Sequence, residues 1–399
     1  MANFARLCAQ ALFFVAFARS IGPDGFSHFS AAIALSVIIS PFIGLGSGSL
    51  IVKNCSRDPA KLPAYFGSAI ILSGATMLAA TPIYAFFIHG SLGSDGLIIA
   101  IAVLTSELVA TKIQEISVQG FQSQGRIPLV ATSIILSSIL RISAAVLGYL
   151  LAEGDIKFWL ILYVSSAVAP AIITTLLFLS EYGIKRRIFL QELFDGFKFS
   201  IGISSQGVYN DADKLILPRF ISADSSGNYA AAYKIVDVAF SPIRALLTVT
   251  YPGFFKAGQS GIHAALQHAR KFLPATMLLG FAGSACIYLC SHLALLVLGQ
   301  EYAETTVVLK YLAIIPMLRS FHFLIADALT GADYQGIRSI AQITVASLNI
   351  GLNFAIIPQF GWRGAAIVSI ACDTLLCVLL SAIALYLTNR EINGSDKRN

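Results

Sequence analysis

IPLVATSIILSSILRISAAVLGYLL, residues 127–151, runs for 25 residues with one charge, Arg141, near its middle. The hydrocarbon core of a bilayer needs about 20 predominantly apolar residues of helix at 1.5 Å each, so this stretch is long enough to cross it. It is continuously apolar, where a membrane-barrel strand would alternate over about ten residues. Runs of the same kind recur from end to end. The chain has 399 residues, 56% of them hydrophobic and only 12% charged, and a mean hydropathy of +0.77, well outside the range of a soluble domain. The sequence therefore predicts an all-α integral membrane protein with about twelve transmembrane helices. They are placed at 4–21, 27–52, 64–89, 97–119, 127–151, 156–180, 194–218, 227–254, 272–298, 303–329, 337–357 and 364–388.

Orientation follows from the loops, because Lys and Arg collect on the cytoplasmic side. With both termini inside, sixteen basic residues fall in inner segments, among them Lys53, Arg57, Arg126, Lys185, Arg186, Arg187 and Lys256. The outer loops hold four: Arg19, Lys157, Arg219 and Arg363. The net charge of +6 is a topology signal and predicts no nucleic-acid partner. MANFARLCAQALFFVAFARS at the start could pass for a signal peptide, but an even helix count beginning inside favours an uncleaved first span. The six cysteines form no Cys-x-x-Cys pair and mostly sit in spans, where they read as small apolar packing residues.

The basic segment 181–198 divides six spans from six, giving lobes at 1–187 and 188–399. A faint repeat supports that division. IGPDGFSHFSAA at Ile21 aligns with ISADSSGNYAAA at Ile221, Ser40-Pro41 with Ser241-Pro242, and QSQGRIPLVA at Gln122 with ADYQGIRSIA at Ala332. Two halves with even helix numbers share one orientation, so they relate by a pseudo-two-fold along the membrane normal, with a transport path expected between them. Pro41, Pro82, Pro170, Pro242, Pro252, Pro274 and Pro316 fall inside spans and predict bent helices.

Fourteen charges fall at membrane depth. At roughly 3 kcal/mol each on insertion scales, facing lipid would cost on the order of 40 kcal/mol, so they are expected to face inward. Lys234, Asp237, Ser241, Arg244 and Thr248 form one polar stripe at helical spacing, and Ser200, Ser204, Gly207, Asp211 and Lys214 another. Asp213 points to the other side and is expected to bond within its own lobe. Two readings compete. Pairs at i,i+3, namely Asp211 with Lys214, Lys234 with Asp237 and Lys112 with Glu115, could simply neutralise one another. Alternatively, the stripes line an aqueous chamber in which bases clamp an anion and a carboxylate couples an ion or proton. The substrate-binding candidates are Arg244, Lys234, Lys214, Arg141, Arg19 and Arg319, and the ion-coupling candidates are Asp211, Asp237, Glu107 and Asp373. Arg141 and Arg244 have no acid three or four residues away, which favours the anion role for both. His322, one turn from Arg319, reads as a buried hydrogen-bonded residue rather than a proton relay.

No metal-ligand cluster, nucleophile elbow or phosphate-binding glycine loop is present, so neither enzymatic activity nor a cofactor or metal is expected. GLGSGS at Gly44 has no strand before it and reads as small-residue helix packing. FARSIGPDGFSHFSAAIALSVIISPFIGLGSGSLIVK, DADKLILPRFISADSSGNYAAAYKIVDVAFSPI, VLGQEYAETTVVLKYLAIIPM and LNFAIIPQFGWRGAAIVSIACD resemble the Wzx-type O-antigen flippases. That polysaccharide-biosynthesis family lies in the superfamily that also holds multidrug-and-toxin extruders. The resemblance implies a two-lobe, V-shaped transporter of the bacterial inner membrane that moves undecaprenyl-diphosphate-linked glycan to the periplasmic leaflet. It also implies a cationic cavity, coupling to a proton or sodium gradient, and a place beside polysaccharide polymerase and chain-length proteins. Asp213-Lys214 matches the family's Asp-Lys motif on helix seven, and Arg19 the basic residue before its first turn. The chain begins later than typical members, which shortens helix one. A drug extruder fits less well, since a cavity for organic cations should be acid-rich. A glycan polymerase or ligase would resemble proteins with a large outer loop bearing Arg and His.

Overall fold

The computed structural model describes residues 2–56, 58–89, 94–152, 154–187, 189 and 193–395, and among them there is helix and no strand. The chain forms two compact units, Met1–Gly227 and Asn228–Asn399.

In the first unit, α1 (Ala2–Ile39) is one helix by hydrogen bonding but two by geometry. Gly22 has φ 71° and ψ 175°, and Pro23 follows it, so the first apolar run ends there and the second begins. A single turn, Ser40–Phe42, leads to α2 (Ser47–Cys55). Then come α3 (Leu62–His89), α4 (Ser94–Val103), a π-helical segment Leu104–Ala110, α5 (Thr111–Ser123), α6 (Ile127–Leu151), α7 (Ile156–Tyr182) and α8 (Leu193–Ile216). Helix α1 packs on α6 and α8, and α5 packs on α2 and α7. Aromatic rings from separate helices seal the seams. Phe17 meets Phe29 at 4.5 Å and Trp159 at 5.5 Å, while Phe178 stacks on Phe66 at 4.2 Å. Each seam needs a glycine beneath a ring: a Cβ on Gly148 would come 2.4 Å from Trp159, and one on Gly120 2.4 Å from Phe178.

The second unit holds most of α9 (Ala223–Gly258), then α10 (Ile262–Cys290), α11 (Leu293–Leu298), α12 (Ala303–Leu312), α13 (Ile315–Gly331) and α14 (Gln335–Ser395). Helix α14 is kinked at Gly361, with φ 57° and ψ −141°, and α12 and α13 are bent by 46°. Helix α13 packs on α10 and α14.

Among the described residues, seven helices are long and apolar enough to cross a membrane, and the bent α12–α13 pair makes an eighth. Dividing α1 at Gly22 and α14 at Gly361 adds two crossings. Helices α8 and α9 have the length but carry Asp211, Asp213 and Lys214, or Lys234, Asp237 and Arg244, too many charges to pass on hydropathy. The protein is a multi-pass, all-α membrane protein with twelve helical crossings.

Three sequence expectations change in detail. The span at 27–52 is not continuous: Gly44, Leu45 and Gly46 have φ of 75°, 48° and 67°, and this left-handed turn after Pro41 breaks the helix. Pro242, followed by no glycine until Gly253, stays inside α9, so the aligned prolines behave differently. The compact unit ending at Gly227 includes α8, which is bound to α1: Ser200 Oγ donates to the Pro41 carbonyl at 2.5 Å and Ser204 Oγ to that of Ile38 at 2.8 Å. The same bonds revise the stripe on α8, whose Ser200, Ser204 and Gly207 form a helix seam, not a wet face. A Cβ on Gly207 would already sit 3.1 Å from Val37. The QSQGRIPLVA and ADYQGIRSIA segments both form interhelical turns around a left-handed residue, Gly125 at φ 68° and Asp333 at φ 64°.

Candidate functional site

A cavity of about 400 Å³ lies among α1, the π-helical segment, α5, α6 and α7 of the first unit. Its polar lining includes Arg6 and Gln10, Glu107, Gln114, Ser137 and Arg141. Arg141 lies fourteen residues, about 20 Å, along α6 from Ile127. The turn before Ile127 carries Arg126, paired with Glu181 at the end of α7.

Local backbone geometry aims the acid. The π-helical turn from Leu104 to Ala110, buttressed by Thr111 Oγ1 donating to the Ser106 carbonyl five residues back at 2.8 Å, rotates Glu107 toward α7. Such turns are rare and concentrate at functional sites. Glu107 Oε1 accepts from the Tyr163 hydroxyl at 2.5 Å. The Tyr163 ring in turn supports Arg141, whose Cζ stands 4.4 Å from its centroid and 5.2 Å from that of Phe13. Stacking occupies the faces of a guanidinium and leaves its in-plane N–H groups for a ligand. Arg141 Nη1 is buried and has no hydrogen-bond partner among the described residues, so one donor is left for an acceptor that the protein does not supply. On the same cavity, Gln114 Nε2 donates to Ser137 Oγ at 2.7 Å, and Glu115 Oε2 pairs with Lys112 Nζ, which lines a neighbouring pocket, at 3.1 Å.

Lys214 and Asp211 join as an i,i+3 pair at 2.6 Å. Asp213 is buried, and its Oδ1 accepts from the Lys214 backbone N–H at 2.8 Å. Arg19 is exposed on α1.

The second unit assembles Arg319, Asp237 and Asp373, with His322 beside them. Arg319 Nη1 lies 3.2 Å from Asp237 Oδ1 and its Nε 3.4 Å from Asp373 Oδ2. Its Nη2 donates to the Tyr233 hydroxyl at 3.3 Å. His322 Nε2 lies 3.3 Å from Asp373 Oδ1, and both side chains are buried. Asp237 is thus held by Arg319 rather than by its sequence neighbour Lys234. Lys234 and Arg244 are exposed on α9, with the Arg244 guanidinium 5.6 Å from the Phe240 ring.

The cation and carboxylate candidates of each unit are therefore drawn together in part: Arg141 with Glu107, Lys214 with Asp211, and Arg319 with Asp237 and Asp373. The aromatic members, Tyr163, Phe13 and Tyr233, were not singled out in the sequence. For the two tyrosines the signal was a tyrosine within a span, whose hydroxyl must find a partner when buried; Phe13 had none.

The family model described as polysaccharide biosynthesis protein matches residues 1–257. The probable low-salt glycan biosynthesis flippase Agl15 of Haloferax volcanii is 25% identical over 378 residues, covering 90% of this chain and 77% of that protein. Two solved structures share the fold at low identity. An inward-facing multidrug resistance MATE family transporter of the MOP superfamily has a TM-score of 0.75 at 14% identity, covering 96% of both chains. The lipid II flippase MurJ in an inward closed conformation has a TM-score of 0.73 at 13% identity, covering 95% of this chain and 85% of that one.

Proposed function

Since the chain belongs to the polysaccharide biosynthesis protein family, we propose that it is a flippase carrying lipid-linked glycan units across the membrane for surface polysaccharide synthesis. The carrier is undecaprenyl diphosphate or a similar polyprenyl phosphate, moved from the cytoplasmic to the outer leaflet, with both protein termini cytoplasmic. In a bacterium the location is the inner membrane, where polymerase and chain-length proteins would receive the product.

The observation that supports this reading most is Arg141, stacked at a cavity with a buried donor left open. A guanidinium fork suits the oxygens of a phosphate or carboxylate. Arg244 and Lys234, exposed on α9, join Arg141, Lys214 and Arg19 as cations that engage the anionic substrate. Arg319 is a further candidate, held by two carboxylates until substrate or ion competes for them. Glu107, Asp211, Asp237 and Asp373 are the groups through which an ion gradient would couple, since each carboxylate lies beside a hydroxyl or a cation.

Proteoliposomes containing the purified chain should translocate a fluorescent polyprenyl-diphosphate glycan, and Arg244→Ala should lose most of that rate while Arg244→Lys keeps part of it. Because Arg244 is exposed, both variants should accumulate normally. Wild-type protein that moves drug-like cations and no glycan lipid would sink the proposal.

A further inference from the structure

Arg141 and Glu107 carry opposite charges, line one cavity, and do not pair: no ion pair between them occurs among the described residues, and Arg141 Nη1 has no hydrogen-bond partner. Opposite charges that line one part-buried cavity attract, so something must hold them apart. Tyr163 is placed to do so. Its ring lies under the guanidinium at 4.4 Å, its hydroxyl donates to Glu107 at 2.5 Å, and it is 3% exposed. One side chain therefore satisfies the acid and supports the base.

We infer that Tyr163 is a positioning residue that keeps Glu107 off Arg141, leaving Arg141 available to a single oxyanion group of the transported glycan lipid. That group is either a phosphate of the carrier or a carboxylate on a sugar. The identity of the anion rests on the flippase reading; the spacer role does not. Tyrosine suits the role better than phenylalanine, which offers the same shelf but no donor. Without the hydroxyl, Glu107 loses its partner and turns to the nearest cation, and the substrate must then compete with an internal carboxylate.

The availability of Arg141 can be read directly from the rate at which phenylglyoxal modifies it in the detergent-purified full chain, mapped by mass spectrometry. Arg141 should be modified in the wild type. Inorganic pyrophosphate should protect it if the group is a phosphate and glucuronate if it is a carboxylate; protection by neither overturns the oxyanion assignment. Tyr163→Phe should slow modification about tenfold, and adding Glu107→Gln should restore it to within about twofold of wild type. A merely structural tyrosine would not be rescued by removing an acid. Modification of Tyr163→Phe at the wild-type rate, or slow modification that Glu107→Gln does not relieve, overturns the spacer role. If Tyr163→Phe fails to accumulate, Glu107→Gln alone decides. An unchanged rate supports the spacer, whereas acceleration of about tenfold means Glu107 already occupies Arg141 and ends the proposal. Normal glycan transport by a Tyr163→Phe protein whose Arg141 is blocked would instead remove Arg141 from the transport path and leave the spacer role standing.

Discussion

Arg319 and Arg244 both lie at membrane depth in the sequence, and their surroundings give them different energetic weight. Arg319 is 3% exposed, with buried Asp373 on one side and Asp237 on the other. Removing one partner of a buried pair leaves a charge uncompensated, at a cost of about 3–5 kcal/mol. Asp373→Ala should therefore lower the thermal unfolding midpoint of the solubilised protein sharply, and Arg319→Met combined with Asp373→Leu should recover most of the loss. The Asp237 side chain is 37% exposed, so Asp237→Ala should cost about 1 kcal/mol or less. Equal losses for the two aspartates would show that Asp373 is not the main partner of Arg319. The sequence named Arg319, Asp237 and Asp373 individually, but their union joins α9, α13 and α14, and no short spacing announces it.

The predicted span at 27–52 shows how a few glycines override apolar continuity. The break at Gly44–Gly46 lets α8 approach so closely that a Cβ on Gly46 would sit 2.7 Å from the Gly196 carbonyl oxygen, and one on Gly196 2.0 Å from that of Leu45. Gly46→Ala therefore combines a left-handed backbone, about 1–2 kcal/mol for a non-glycine residue, with a backbone clash. A loss of about 2 kcal/mol or more is expected. Gly74→Ala in α3 meets nothing within 4 Å and should be neutral or gain up to about 1 kcal/mol from helix propensity. Thermal melts of the two variants test this, and equal effects would contradict the close approach. The stripes on α8 and α9 part in the same way. A cysteine at Ser204, buried against α1, should resist a water-soluble maleimide, while one at Thr248, exposed on α9, should react; rapid labelling at Ser204 would restore the wet-stripe reading of α8.

In the proposed topology, twelve crossings divided evenly about the basic segment around Arg186 put that segment and both termini on one side. The proposed topology makes that side the cytoplasm, which puts sixteen basic residues in the inner segments against four in the outer loops, as the positive-inside rule favours. Alkaline phosphatase fused after Gly361 or Asp224 should be active, and fused after Arg187 or Arg390 inactive. Activity after Arg187 would invert the assignment or remove one crossing.

Helix type and crossing number were legible in the chain, because bilayer thickness sets segment length, and charge burial is costly enough to make each intramembrane ion conspicuous. Even the kinks at Gly22 and Gly361 lie beside Pro23 and Pro358, residues that announce irregular backbone. The pairing of those charges was not legible. Tyr163 takes Arg141 on its ring and Glu107, on a π-helical turn, at its hydroxyl, and Ser204 leaves the polar stripe because its hydroxyl finds a carbonyl on α1. Helical periodicity records which face a residue occupies, and packing alone sets what that face meets.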